Sequence, residues 1–90
     1  MGVKIKLPAM FQSYAGGVKV AEVSGATVGE CLKQLATIFP AMRKVLFDEA
    51  DSFSGYLNVS LNGKNIQGDF NQIPVRPGDE IYPMILIEGG

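Results

Sequence analysis

Ninety residues, 47% of them hydrophobic, supply apolar surface for one compact core and not for two. A formal net charge of −1, with the basic residues scattered along the chain, leaves no cationic stripe for a phosphate backbone and argues against nucleic acid as a direct partner. Histidine, the commonest zinc ligand and general base, is absent, and the lone Cys31 has no internal disulfide partner, which fits a reducing, cytoplasmic setting.

At the start, MGVKIKLP carries no apolar run of signal-peptide length, and Lys6 stands where an N-myristoylation signal needs Ser or Thr. Val3, Ile5 and Leu7 alternate with Lys4 and Lys6, the pattern of a half-buried strand, which Pro8 closes. A polar stretch follows, in which Gly16 and Gly17 supply the positive φ of a turn. Val18 and Val20 around Lys19 then predict a second strand and an N-terminal hairpin. The alternation slips between Val20 and Val23, which admits a bulge and leaves the inward side open.

The clearest helix is TVGECLKQLATIFP, where Val28, Cys31, Leu32, Leu35, Ile38 and Phe39 fall at helical spacing on one face. Thr27 and Glu30 form a capping-box pattern at its start, and Pro40 stops it. Met42, Val45 and Leu46 predict a short second helical turn, followed by a polar loop of Asp48, Glu49, Asp51, Ser52 and Ser54. That loop is expected to be the most mobile internal connection. Leu57, Val59 and Leu61 alternate as a third strand, and Asn62-Gly63 predicts a tight hairpin into a short strand ending at Ile66. After a loop and a Pro77-Gly78-Asp79 turn comes a final strand. Its apolar run, Ile81 to Ile87, is far short of the roughly 20 residues needed to span a bilayer, so no membrane role is expected. The order strand, strand, helix, strand, short strand, strand describes an α+β two-layer domain occupying residues 1–90.

An ordinary active site does not emerge. There is no cysteine cluster, no serine-centred elbow and no phosphate loop, since Gly63-Lys64 lacks the upstream glycine. Asp48, Glu49 and Asp51 lack the ligand spacing of a calcium site and read as a solvated loop, so no metal is expected. Cys31 lies on the apolar helix face, where a thiol is shielded and protonated. The distinctive feature is the closing Gly89-Gly90, a pair that average glycine usage produces in about 0.5% of sequences. Following a strand, these residues form a slender tail without β-carbons, able to enter a narrow channel. An α-carboxylate is ionised at neutral pH and can attack the α-phosphate of ATP when a partner positions it.

Taken together, the TVGECLKQLATIFP helix, the NVSLNGKNI hairpin, the RPGDEIYPM segment and the terminal Gly89-Gly90 make the chain resemble the ThiS/MoaD family of ubiquitin-like sulfur carriers over essentially its whole length. The resemblance implies a ubiquitin-like β-grasp, a mixed sheet of four to five strands crossed by one main helix, with a flexible C-terminal tail. It further implies that Gly90 is the adenylation and thiocarboxylate site, with Gly89 and Glu88 in the tail. The chain would then be a protein cosubstrate and not an enzyme, with no cofactor bound. ATP and magnesium are used by a ubiquitin-activating-like adenylyltransferase, a persulfide acts as sulfur donor, and a synthase large subunit or other biosynthetic enzyme accepts the sulfur. Tyr82, Met84 and Leu86 alternate with Ile81, Ile85 and Ile87, so one row faces the helix and the other forms an apolar docking surface, with plain structural packing as the alternative. Glu88, where a small residue often stands, and the position of Pro83 depart from the commonest family ending. The length and the extended FPAMRKVLFDEADSFSGYL region favour molybdopterin-type sulfur transfer. The alternatives are thiazole/thiamine or cysteine biosynthesis, or a ubiquitin-like modifier conjugated through Gly90.

Overall fold

The computed structural model describes residues 2–86. In β1 (Val3–Lys6) Val3 and Ile5 are buried while Lys4 and Lys6 face solvent, as the alternation requires. β2 (Val20–Val23) pairs antiparallel with it in unbroken register, Val3 opposite Val23 and Ile5 opposite Ala21, so the bulge that the slipped alternation admits is not formed. The inward residues are Ala21 and Val23, and Val20 is half exposed. The slip in the pattern falls ahead of the strand, between Val18, which packs on the core, and Ala21.

The segment read as merely polar is structured. It holds a helical turn, α1 (Ala9–Gln12), and a 3₁₀ turn at Ser13–Ala15, which bury Phe11 and Ala15. Gly16 and Gly17 then reverse the chain at φ 63° and 86°, values that cost a residue with a β-carbon but not glycine.

α2 (Val28–Ile38) starts where predicted. Thr27 Oγ1 accepts from Glu30 N at 3.1 Å, and the Glu30 carboxylate reaches back to accept from Ala26 N at 3.0 Å, one residue earlier than a standard capping box. Its buried face is Val28, Gly29, Cys31, Leu32, Leu35 and Ala36. Ile38 is 49% exposed and Phe39 only partly buried, which corrects the expected face at its last turn. The chain leaves the helix at Phe39, and burial passes to Met42 in the 3₁₀ turn Pro40–Met42 and to Leu46 in α3 (Arg43–Leu46). The following loop is tied across its neck by stacked Phe47 and Phe53 rings 4.9 Å apart, and Asp48 Oδ1 accepts from the amides of Ala50 and Ser52.

β3 (Leu57–Leu61) and β4 (Lys64–Ile66) form the predicted hairpin, with φ 52° at Asn62 and 85° at Gly63, the left-handed pair that a two-residue turn needs. β5 (Glu80–Ile85) enters between β1 and β3, parallel to the first and antiparallel to the second. The result is a five-stranded mixed sheet in the order β2-β1-β5-β3-β4, crossed by α2 as its one main helix. Strands and helix share one cluster that includes Ile5, Leu32, Leu35, Val59 and Ile81.

A proline in a central strand ordinarily breaks a ladder. Pro83 is opposite Val59 on β3, which a proline tolerates only as a non-hydrogen-bonded pair. Its nitrogen therefore points toward the β1 side, where pairing has already ended at Ile5 and Ile81.

Candidate docking face and carboxyl-terminal strand

β5 sorts its side chains to two faces. Ile81 and Pro83 are fully buried and Ile85 partly so, while Tyr82 is 38% and Leu86 53% exposed, with Met84 between them. The register sets Ser60 beside Tyr82 and Asn58 beside Met84, with Asn65 next to Ser60 on β4. Tyr82, Met84 and Leu86 form one wall of a shallow groove of about 260 Å³, and the small polar side chains of Asn58, Ser60 and Asn65 line the rest. On the other side of Tyr82 a second depression is bordered by Lys6, Gly63 and Glu80. Lys6 Nζ and Glu80 Oε1 are 3.0 Å apart, an exposed pair contributing at most about 1 kcal/mol.

The pairing of β5 extends past its last formal residue, because Leu86 N donates to Tyr56 O at 2.9 Å. Tyr56, 63% exposed, thus borders the point where the strand hands over to the C-terminal segment. Gly90, Gly89 and Glu88, the residues expected to carry the chemistry, lie outside the described residues, as does Ile87.

At the head of β5 the chain is clamped to the β3–β4 turn. Asn62 N donates to Glu80 O at 2.8 Å, Asn62 Oδ1 accepts from Glu80 N at 2.9 Å, and Asn62 Nδ2 donates to Asp79 Oδ1 at 3.0 Å. Asp79 Oδ2 accepts from Arg76 N at 2.8 Å. The Arg76 amide first, and the Asn62 amide second, hold the Asp79 carboxyl below the usual aspartate range. Asn62 and Asp79 each read as turn residues in the sequence. Their union is between residues far apart along the chain, and no local signal announces it.

Cys31 has no exposed surface, and burial, followed by the charge of Glu30, raises its thiol above the ordinary range. It is a core residue. Among the described residues no cluster of three or more metal-ligating side chains occurs, no buried polar side chain lacks a partner, and no helix is long and apolar enough to cross a membrane.

The sequence matches the model of the ThiS family over residues 5–89. No curated protein matches it. Among solved structures, it is similar to small archaeal modifier protein 1 of Haloferax volcanii, with 26% identity, a TM-score of 0.86 and full coverage of both chains. It is also similar to a chain of the Amycolatopsis orientalis BexX/CysO complex, at 24% identity and TM-score 0.82, over 98% of this chain and 99% of that one. A third likeness is to a putative molybdopterin converting factor subunit 1 from Pyrococcus furiosus, at 21% identity and TM-score 0.73, over 97% and 99% of the two chains. The shared architecture is the ubiquitin-like β-grasp.

Proposed function

The chain belongs to the ThiS family, and we propose on that ground that it is a sulfur carrier whose Gly90 carboxylate is activated by a partner enzyme and converted to a thiocarboxylate. The observation that carries this reading is the family match reaching Gly89. A sheet whose central strand, β5, leads directly into that segment supports it. Residues 1–90 act as one carrier domain, with Glu88, Gly89 and Gly90 as the tail that enters the partner.

The chemistry asks little of the carrier's side chains. The Gly90 carboxylate oxygen attacks the α-phosphorus of ATP in the adenylyltransferase, magnesium neutralises the phosphates, and pyrophosphate leaves. The terminal sulfur of a persulfide displaces AMP from the acyl-adenylate, forming a C–S bond to the Gly90 carbonyl carbon. A second thiol then reduces the persulfide's own S–S bond, becoming a disulfide with the donor sulfur and leaving a thiocarboxylate on Gly90. The carrier is consumed and regenerated as a cosubstrate. Its own task is to present the tail, which the open face bearing Tyr82, Met84 and Leu86 serves by docking on the activating enzyme and then on the sulfur-accepting subunit. Of the acceptors, molybdopterin synthesis is the one we favour, supported by the extended FPAMRKVLFDEADSFSGYL region and by the likeness to a putative molybdopterin converting factor subunit.

A second reading has a specific observation behind it. The Haloferax neighbour with which the fold agrees over both full chains is a modifier protein, so the same activated Gly90 is a candidate for transfer to a lysine of another protein. Co-expression with the activating enzyme, followed by intact-mass analysis, separates the two. A carrier gains the mass difference between sulfur and oxygen at Gly90, whereas a modifier appears as an isopeptide adduct. Absence of both products in the presence of ATP and a sulfur source overturns the proposal.

A further inference from the structure

We propose that Asn62 is a conformation-gated deamidation site, protected in the native fold because the side chain that would react is held by Asp79 and Glu80. The Asn62-Gly63 step is exposed, and glycine offers no β-carbon to shield its own amide nitrogen. In an unconstrained chain the Gly63 nitrogen attacks Asn62 Cγ. The new N–Cγ bond forms as the Cγ–Nδ2 bond breaks, and the Gly63 amide proton departs with Nδ2 as ammonia. Water then opens the cyclic imide at either carbonyl, giving aspartate or isoaspartate. No oxidant or reductant is needed.

In the folded molecule that attack competes with three hydrogen bonds. Asn62 N is fixed to Glu80 O at 2.8 Å, Oδ1 accepts from Glu80 N at 2.9 Å, and Nδ2 donates to Asp79 Oδ1 at 3.0 Å. Cγ reaches the Gly63 nitrogen only after both side-chain bonds release. The reaction rate of the native protein is therefore set by how often this corner opens. The product does not restore the clamp. Aspartate at position 62 has no donor for Asp79 and brings a second carboxylate to the place where Nδ2 stood. Isoaspartate also lengthens the backbone of a two-residue turn that sets the β3–β4 register. Because Gly63 borders the same depression as Tyr82, the added charge lies beside the open face of the sheet.

The test compares the full chain in native buffer, the same chain in denaturing urea, and Asp79→Ala in native buffer, all at mildly alkaline pH. Peptide mapping resolves asparagine, aspartate and isoaspartate at position 62. The expected result is that native wild type reacts at least about tenfold more slowly than the chain in urea, because local opening must precede attack. Folded Asp79→Ala, verified by circular dichroism, is expected to react severalfold faster than folded wild type. Equal rates for wild type in native buffer and in urea overturn the proposal, as does a folded Asp79→Ala that reacts at the wild-type rate. Should Asp79→Ala not fold, the wild-type comparison decides alone.

Discussion

Gly29 is the second residue of α2, in its first turn, where alanine is favoured over glycine by at most about 1 kcal/mol. Here a β-carbon would stand 3.0 Å from the Cα of Asn71 and closer still to its side chain, because the 3₁₀ turn Phe70–Gln72 packs directly on α2. The Asn71 side chain is exposed and can swing away, but the backbone cannot. Gly29→Ala is therefore expected to lower stability by about 1–2 kcal/mol despite its helix propensity, the overpacking cost outweighing the gain. Urea denaturation measures it, and a stabilised variant contradicts this packing. Asp79 gives a second residue-level expectation. Its carboxyl is held below the usual range in the fold, so the ionised form contributes stability that is fully present above the unfolded value, about pH 4, and is lost as pH falls through the folded value. Asp79→Asn should lower the melting temperature at neutral pH and narrow its gap to wild type in strong acid. A gap that is the same at both pH values refutes the linkage. Neither residue is legible in the sequence, since Gly29 reads as a helix glycine and Asp79 as a turn former until their distant partners are in place.

At the scale of elements, the signals that were legible are those in which a local pattern fixes the local structure. The Thr27/Glu30 cap, the alternation in β1 and β3 and the Asn62-Gly63 turn each depend on residues a few positions apart. The misses share a different cause. Phe11 and Ala15 bury themselves from a segment too short to show a helical period, and Ile38 is exposed because the chain turns off the core at Phe39; the inward side of β2, left open by the sequence, is set by its pairing with β1. On β5 the sorting of Ile81 and Pro83 inward and Tyr82 and Leu86 outward makes the docking proposal testable without disturbing the fold. Tyr82→Glu and Leu86→Glu are expected to weaken binding to the activating enzyme at least about tenfold while changing stability little, as exposed substitutions usually do. Calorimetric titration checks the first and thermal melting the second. Unchanged affinity in both variants would move the docking surface elsewhere.

For the whole molecule, scaffold and chemistry are expected to separate. Among the described residues the buried core cluster runs from Val3 to Ile81, and Leu86 N bonds Tyr56 O beyond it. Deleting Gly90, or adding one residue after it, should abolish thiocarboxylate formation in the co-expression assay while shifting the melting temperature by no more than about 2 °C. A large loss of melting temperature would show that the tail is part of the fold. The sequence by itself determined the order of the main strands and helix, the capped start of α2, the hairpin turn, and the family-like ending at Gly89-Gly90. These rest on near-neighbour periodicity, capping and composition, which need no knowledge of what packs against what. Only the tertiary structure decided that β5 is the central strand, which of its side chains are open to a partner, why Pro83 is tolerated there, and that Asn62 clamps Asp79. Each of these depends on groups distant in the chain meeting across the sheet, where burial and hydrogen bonding are settled jointly.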